Sequence, residues 1–138
     1  ASLYACNYRY MMDTIVDKVV LDDRYFGQPI LYSDIEDRGL RIKPFIDRFS
    51  RIYIYGAGMY GRQCLDAIKE YDLQKICAFL VSDGRKTEHG IEGVPIMELG
   101  QICPREDEGI IIALNYLDML NVFSELRKRN FQNIERYL

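Results

Sequence analysis

The sequence predicts an α/β protein whose carboxy-terminal part, residues 50–138, forms a Rossmann-like, doubly wound parallel sheet. Strand and helix patterns alternate from residue 51 to the end, and a glycine-rich turn separates the first strand from the first helix. The apolar run at residues 109–114 is typical of a strand that is buried on both faces. The order β-α-β-(β)-α-β-α-β therefore indicates right-handed parallel crossovers, and we expect the strand order 3-2-1-4-5.

The individual elements follow from residue type and spacing. β-branched and aromatic runs mark strands, and apolar residues at helical spacing mark helices. The predicted strands are 51–55, 75–81, 94–96, 109–114 and 133–138, and the predicted helices are 59–71 and 116–129, with a short helical turn at 98–102, a loop at 82–92 and a charged turn at 104–108. Pro95 would restrict the third strand to a sheet edge or to a first position in the strand. The second helix should place five residues inward and end at a left-handed Asn130: Leu117, Leu120, Phe123, Ser124 and Leu126.

Residues 1–49 form a separate, helical or irregular extension in this interpretation. An amphipathic stretch at 34–49 is interrupted at Gly39 and Pro44. Residues 19–30 also echo residues 80–96, since both read as strand, acidic turn and then G-x-P-I. This echo predicts the remnant of a preceding repeat or domain. The alternative is an accidental match of short segments.

Composition narrows the function classes. A net charge of −3 and a pI near 5.2 argue against a nucleic-acid binder, and the basic cluster at 127–129 suits the end of a helix. Four cysteines without a C-x-x-C pair and a single histidine argue against a metal site and indicate a reducing cytoplasm. No run is long enough to span a membrane. The first residue is not Met, which indicates a fragment of a larger parent chain. A homo-oligomer is the alternative expectation for its partners.

The motif Gly56-x-Gly58-x-x-Gly61 carries the functional prediction. Gly56 would permit the turn out of the strand, Gly58 would let a pyrophosphate approach the backbone, and Gly61 would let the helix pack closely on the sheet. The amides at the helix start, including those of Met59 and Tyr60, would then point at the phosphate. The alternative is a glycine-tolerant turn that binds nothing.

Three residues near other strand ends complete the predicted nucleotide site. Asp83 follows the second strand and is the candidate for the ribose hydroxyls, although an ordinary turn residue is an equal reading. Arg85, with the neighbouring Lys86, is the candidate for a 2′-phosphate or a sugar-nucleotide diphosphate. Asn115 follows the fourth strand and either faces the same crevice or caps the next helix.

No catalytic residue can be assigned from the sequence. His89 lies in a polar loop, where a solvated side chain is the simpler reading. Tyr71 and Lys75 have the Y-x-x-x-K spacing of short-chain dehydrogenases, but they bridge a helix end and a strand start. Whether the chain is an enzyme therefore stays open.

The motifs resemble the Rossmann-like domains of bacterial sugar-modifying and polysaccharide-biosynthesis proteins. The resemblance covers about residues 50–138 and rests on these segments: Tyr55-Gly56-Ala57-Gly58-x-x-Gly61, Phe79-Leu80-Val81-Ser82-Asp83, Gly93-Val94-Pro95-Ile96 with Leu99, and Ile110-Ile111-Ile112-Ala113. Similar domains belong to sugar-nucleotide acyltransferases and dehydratases, and occur attached to glycosyltransferases. The resemblance implies binding of NAD(P) or a UDP-sugar and a role near surface-polysaccharide synthesis. It implies no complete catalytic machinery, because the chain lacks the acyltransferase histidine and hexapeptide repeats and the correctly placed tyrosine–lysine dyad.

Three hypotheses follow. The first is a nucleotide-binding domain, for NAD(P) or a nucleotide-sugar, of a larger sugar-modifying protein. The second is a small stand-alone NAD(P)-dependent oxidoreductase. The third is a non-catalytic module that oligomerises through the tyrosine-rich residues 4–12.

Overall fold

The computed structural model describes residues 19–20, 30–69 and 72–138, and it has the predicted α/β class. Its helices are α1 (Tyr32–Asp47), α2 (Met59–Lys69) and α3 (Tyr116–Lys128). Its strands are β1 (Val19–Val20), β2 (Ile30–Leu31), β3 (Arg51–Tyr55), β4 (Ile76–Val81), β5 (Gly90–Ile91), β6 (Val94–Glu98), β7 (Glu108–Ile112) and β8 (Ile134–Arg136). Short 3₁₀ turns occupy Leu73–Lys75 and Leu99–Gln101.

The main sheet has six strands in the order β5-β6-β4-β3-β7-β8. β6, β4, β3, β7 and β8 pair in parallel, and β5 pairs antiparallel with β6. The observed order therefore differs from the predicted five-strand order, because β5 forms an additional edge inside the predicted loop 82–92. Two residues are too few for a periodic sequence pattern, which is why this strand was missed.

Two hydrophobic cores lie on opposite faces of the sheet, because side chains alternate along each strand. In β3, Ile52 and Ile54 enter the core beneath α1 and α2, whereas Tyr53 and Tyr55 enter the core beneath α3. All five residues of β7 are buried; four of them belong to the predicted apolar run 109–114, and Glu108 precedes it. Helices thus cover both faces of the sheet and bury its central strands.

α1 is continuous through Gly39 and Pro44, so the predicted interruption is wrong. Pro44 and the residue four positions earlier, Leu40, are both exposed. Water can therefore replace the backbone hydrogen bond that proline cannot donate. Gly39 is buried, and a Cβ there would lie 3.2 Å from the Ala67 Cβ. The glycine thus allows close packing of α1 against α2.

The predicted inward face of α3 is partly wrong. Leu126 is buried as expected, but Leu117, Leu120, Phe123 and Ser124 are exposed, and Met119 is buried in their place. Apolar residues occupy two adjacent stripes of this helix, so periodicity alone could not decide which stripe faces the sheet. Asn130 has the predicted left-handed backbone, with φ of 70°.

The predicted placement of Pro95 also needs correction. Pro95 is the second residue of β6, and β6 is covered by β5 rather than lying at the edge. The parallel ladder with β4 begins one residue later, at Ile96. The missing proline amide therefore removes no hydrogen bond from that ladder.

The amino-terminal echo stays a prediction. β1 does lie within residues 19–30, and it pairs antiparallel with β2. The echoed strands β4 and β6 are instead parallel neighbours, so the two segments differ in how they pair. The tyrosine-rich residues 4–12 lie outside the described residues.

Candidate functional site

The candidate site lies at the carboxyl edge of the parallel strands. β3 pairs with β4 on one side and with β7 on the other. The chain passes from β3 to β4 and later crosses back from β6 to β7, so the loops after β3 and β7 diverge at this edge. Open α/β sheets form their ligand crevice at such a point.

The three glycines of the corner between β3 and α2 have different environments. Gly56 has φ of 115°, and a Cβ there would lie 2.5 Å from the Ala113 carbonyl oxygen. A Cβ on Gly61 would overlap the Gly56 carbonyl oxygen. Gly58 is exposed, and a Cβ there would have no heavy atom within 4 Å. Gly56 and Gly61 are thus required by packing, whereas the corner at Gly58 is open.

The first turn of α2 presents backbone amides without a side-chain cap. The Gly58 carbonyl accepts the Arg62 amide at 3.1 Å, so α2 begins at a residue with no side chain. The following amides, of Met59, Tyr60 and Gly61, have no acceptor within the helix. The first turn contains no acidic residue. The Met59 and Tyr60 side chains pack against the core below α1 and α2 and leave the space at Gly58 empty.

Arg62 is a cation beside this corner. It was not among the residues predicted for the nucleotide site. Its side chain is only 12% exposed and forms an ion pair of 3.5 Å with Glu88. The position directly after the last glycine of the motif is the signal that could have identified it. Arg62 therefore holds the loop after β4 close to the first turn of α2.

Asp83 lies at the expected edge, but the protein itself binds both oxygens of its carboxylate. Oδ1 accepts the Gly100 amide at 2.7 Å, and Oδ2 lies 3.4 Å from the guanidinium of Arg129. These contacts join the loop after β4 to the 3₁₀ turn after β6 and to the end of α3. They agree with the turn-residue reading, and a ribose contact stays a prediction.

Arg85 and Lys86 are exposed in the loop after β4. The Arg85 amide donates to the Ser82 carbonyl at 3.0 Å, which closes the turn around Asp83. Both cations thus follow a fixed turn at the carboxyl edge, within the same loop that Arg62 holds through Glu88.

Asn115 caps α3. Its Oδ1 accepts the Asp118 amide at 2.9 Å, and its Nδ2 donates to the Asp118 carboxylate at 2.8 Å. The structure therefore favours the capping role over a contact with a ligand in the crevice.

Tyr55 and Ser82 link β3 to the end of β4. Their hydroxyl oxygens are 2.8 Å apart. Burial raises the pKa of Tyr55, although the hydrogen bond to Ser82 opposes this shift. The phenol is therefore neutral at physiological pH, and the pair supplies hydrogen bonds rather than a nucleophile.

A cavity of about 380 Å³ lies at the opposite, amino edge of the sheet, and it is separate from the candidate site. It is lined by Tyr53, Cys103, Glu108 and Phe131, among others. Glu108 is buried and contacts the Tyr53 hydroxyl at 3.4 Å and the Arg51 guanidinium at 3.5 Å. Burial and the negative charge of Glu108 raise the pKa of Tyr53. We place the candidate site at the glycine corner rather than in this cavity, because the corner combines an open backbone at Gly58 with the amides of a helix start.

The remaining features on which the composition bears are the cysteines, metal binding and membrane spans. Cys64 is buried, and burial raises the pKa of its thiol; Cys77 is half-buried beside Arg51, and Cys103 is exposed. No cluster of three His, Cys, Asp or Glu residues suitable for a metal ion occurs among the described residues. In residues 19–20, 30–69 and 72–138, no helix combines the length and apolarity that crossing a membrane requires.

Comparisons of the chain with protein-family models, with curated proteins and with solved structures gave no match. The assignment of a function to this chain therefore depends on the geometry of the glycine corner.

Proposed function

We propose that residues 50–138 form a Rossmann-like, doubly wound nucleotide-binding domain that holds a diphosphate against the glycine corner. The ligand is NAD(P) or a nucleotide-sugar such as a UDP-sugar. The domain serves a sugar-modifying or surface-polysaccharide biosynthesis protein in the cytoplasm. The described residues at the corner supply phosphate binding, and the chemistry belongs to another domain or chain.

One observation carries this proposal: the corner is closed by packing at Gly56 and Gly61 and open at Gly58. A turn that only changes chain direction needs the first two glycines, because a Cβ at either would meet backbone atoms. It does not need a glycine at position 58, where a side chain would meet nothing and where φ is outside the left-handed region. Close approach of a ligand to the backbone explains a glycine there.

Electrostatics support an anion at the same place. A helix start carries a positive partial charge, and an anion near it is stabilised by about 0.3–2 kcal/mol. The first turn of α2 carries no carboxylate that would compete for its amides. Arg62 lies in the same turn, where it is paired with Glu88, and the exposed Arg85 and Lys86 follow β4 at the same edge. The surroundings of Gly58 therefore favour phosphate, whereas the chain as a whole is acidic.

Thermal denaturation with NAD, NADP, UDP-glucose and coenzyme A tests the proposal. A ligand at ten times its dissociation constant should stabilise the fold by about 1.4 kcal/mol. A shift with one nucleotide class supports the proposal and identifies the class. Turnover of a nicotinamide cofactor by this chain would instead favour the stand-alone oxidoreductase. No shift with any nucleotide would favour the non-catalytic module.

A matched pair of variants locates the ligand. Gly58→Asn and Gly58→Asp add side chains of nearly equal size to an open position, so both should fold. The Asn variant should weaken nucleotide binding by filling the space that the phosphates need. The Asp variant should weaken it by about a further tenfold, because a carboxylate a few ångströms from a phosphate costs on the order of 1 kcal/mol or more. Unchanged binding in both variants would contradict the phosphate assignment.

A further inference from the structure

The outer surface of α3 carries a stripe of large apolar side chains that the fold does not cover. Tyr116, Leu117, Leu120 and Phe123 are 59%, 73%, 46% and 39% exposed. At about 200 Å² for a fully exposed side chain of this size, the stripe presents roughly 400 Å². A continuous patch of this extent on a small domain commonly marks an interaction surface.

The stripe continues into a groove between α3 and the edge strand β8. This groove encloses about 250 Å³, and its lining includes Leu120, Phe123, Ile134 and Arg136. Among the described residues β8 pairs with β7 alone, so its other edge has no strand partner in that part of the chain. Apolar helix surface, groove and strand edge therefore form one contiguous face, which we call the α3–β8 face.

We propose that the α3–β8 face joins two copies of this chain in a twofold dimer in which the two α3 helices pack antiparallel. This inference is independent of the proposed nucleotide site, which is formed by the corner before α2. A twofold contact uses the same patch on both copies, so the patch must be complementary to itself.

The residue spacing on α3 provides that complementarity. Tyr116, Leu120, Phe123 and Arg127 follow the i, i+4, i+7, i+11 spacing of a single helix stripe. When a second α3 runs antiparallel, Leu120 faces Phe123 of the second copy and Tyr116 faces its Arg127. The Arg127 guanidinium already lies 5.6 Å from the centre of the Phe123 ring in its own chain. An aromatic ring of the second copy would give it a second favourable face.

Charge decides between antiparallel and parallel packing. The cations Arg127, Lys128 and Arg129 lie at the end of α3, whereas Asp118 and Glu125 are the only charged residues before them in the helix. Parallel helices would place three cations beside three cations. Antiparallel helices separate the two groups by about 20 Å, the length of a 13-residue helix. The three cations of each copy then lie near the half of the other copy's α3 that carries Asp118.

The apolar area of the face is small, as in weak or transient complexes. A stable complex usually buries about 800 Å² on each partner. The stripe supplies about half of this area, and the rest must come from the groove and the exposed edge of β8. We therefore expect a dimer with a dissociation constant in the micromolar range.

Sedimentation equilibrium over micromolar to submillimolar protein concentrations tests the dimer. Leu117→Glu should raise the dissociation constant by about tenfold or more, because it places a charge in the apolar stripe. Leu73→Glu is the control, since Leu73 is 46% exposed in the 3₁₀ turn before β4, and β3 and β7 lie between β4 and β8. A monomer in the wild type at every concentration, or equal dimerisation of the Leu117→Glu variant and the wild type, would overturn the proposal.

A mixing experiment tests the antiparallel register. Leu120→Glu and Phe123→Lys should each weaken self-association. In the mixture, Glu at 120 of one chain should face Lys at 123 of the other, so heterodimers should form more tightly than either homodimer. If mixing restores no association while both variants keep wild-type circular dichroism, the proposed register is wrong.

Discussion

Two helices begin at the same edge of the sheet and differ in how their first turns are satisfied. α2 follows β3, and α3 follows β7, and these two strands are neighbours. The first turn of α3 is closed by its own Asn115, whose side chain accepts the Asp118 amide. The first turn of α2 follows Gly58, which has no side chain to offer. The two helix starts therefore share the sheet edge and the direction of the helix dipole, but they differ in the capping residue and in the acidic Asp118 of the first turn of α3.

The difference shows that a helix start becomes a candidate ligand site only when the chain leaves its amides unsatisfied. At α3 a local side chain supplies the acceptor, so no external anion is needed. At α2 an external acceptor is needed, and no described residue has a heavy atom within 4 Å of a Cβ placed on Gly58. The glycine motif thus marks a helix start whose amides need an external acceptor. Of the two roles predicted for Asn115, the structure favours capping over a ligand contact.

The largest expected effect on stability comes from substituting Gly61, one of the two glycines that packing requires. Gly61→Ala would place a Cβ on the Gly56 carbonyl oxygen, which is backbone and cannot move aside cheaply. We expect a loss of about 3 kcal/mol or more in the free energy of unfolding, measured by urea denaturation. Gly58→Ala is the control and should change stability by less than about 1 kcal/mol. Equal losses for the two variants would show that the corner is not packed as described.

Changing the capping residue of each helix should alter the free energy of unfolding by a smaller amount. The change should be a loss at α3 and a gain at α2. Asn115→Ala removes the cap of α3 and should cost about 1 kcal/mol of stability without weakening nucleotide binding. Gly58→Ser supplies a cap to α2 and should add a few tenths of a kcal/mol while weakening nucleotide binding. Chemical denaturation and calorimetric titration measure the two quantities. Tighter nucleotide binding by the Gly58→Ser variant would contradict the claim that the uncapped amides of α2 bind the phosphates.

Much of the fold could be predicted because buried parallel strands are continuous in sequence. The apolar run 109–114 identifies the strand Glu108–Ile112, and the β-branched and aromatic run 51–55 identifies the strand Arg51–Tyr55. β5 was not predicted, since it has two residues and depends on a turn at Glu92 and Gly93, both with positive φ. The orientation of α3 failed for a different reason: two adjacent stripes of the helix are apolar, and only tertiary packing selects between them.

The candidate site could be predicted only where the residues that form it are close together in the sequence. The glycine motif lies in one short segment, and each glycine's role follows from its neighbours along the chain. Asp83 is different, because its partners Gly100 and Arg129 are distant in sequence and meet it only in the folded chain. Arg62 was missed because the ion pair that orients it joins α2 to Glu88 in another loop.

The most direct measurement is a titration of the ¹⁵N-labelled chain with UDP and with NAD, followed by amide chemical shifts. If phosphates bind at the start of α2, we expect large, saturable shifts for the amides of Met59, Tyr60 and Gly61, whose N–H groups would bind them. The Asp118 amide at the start of α3 should stay unchanged because Asn115 already occupies it. Saturable binding that leaves the three α2 amides unshifted, or no binding of either nucleotide, would contradict the account.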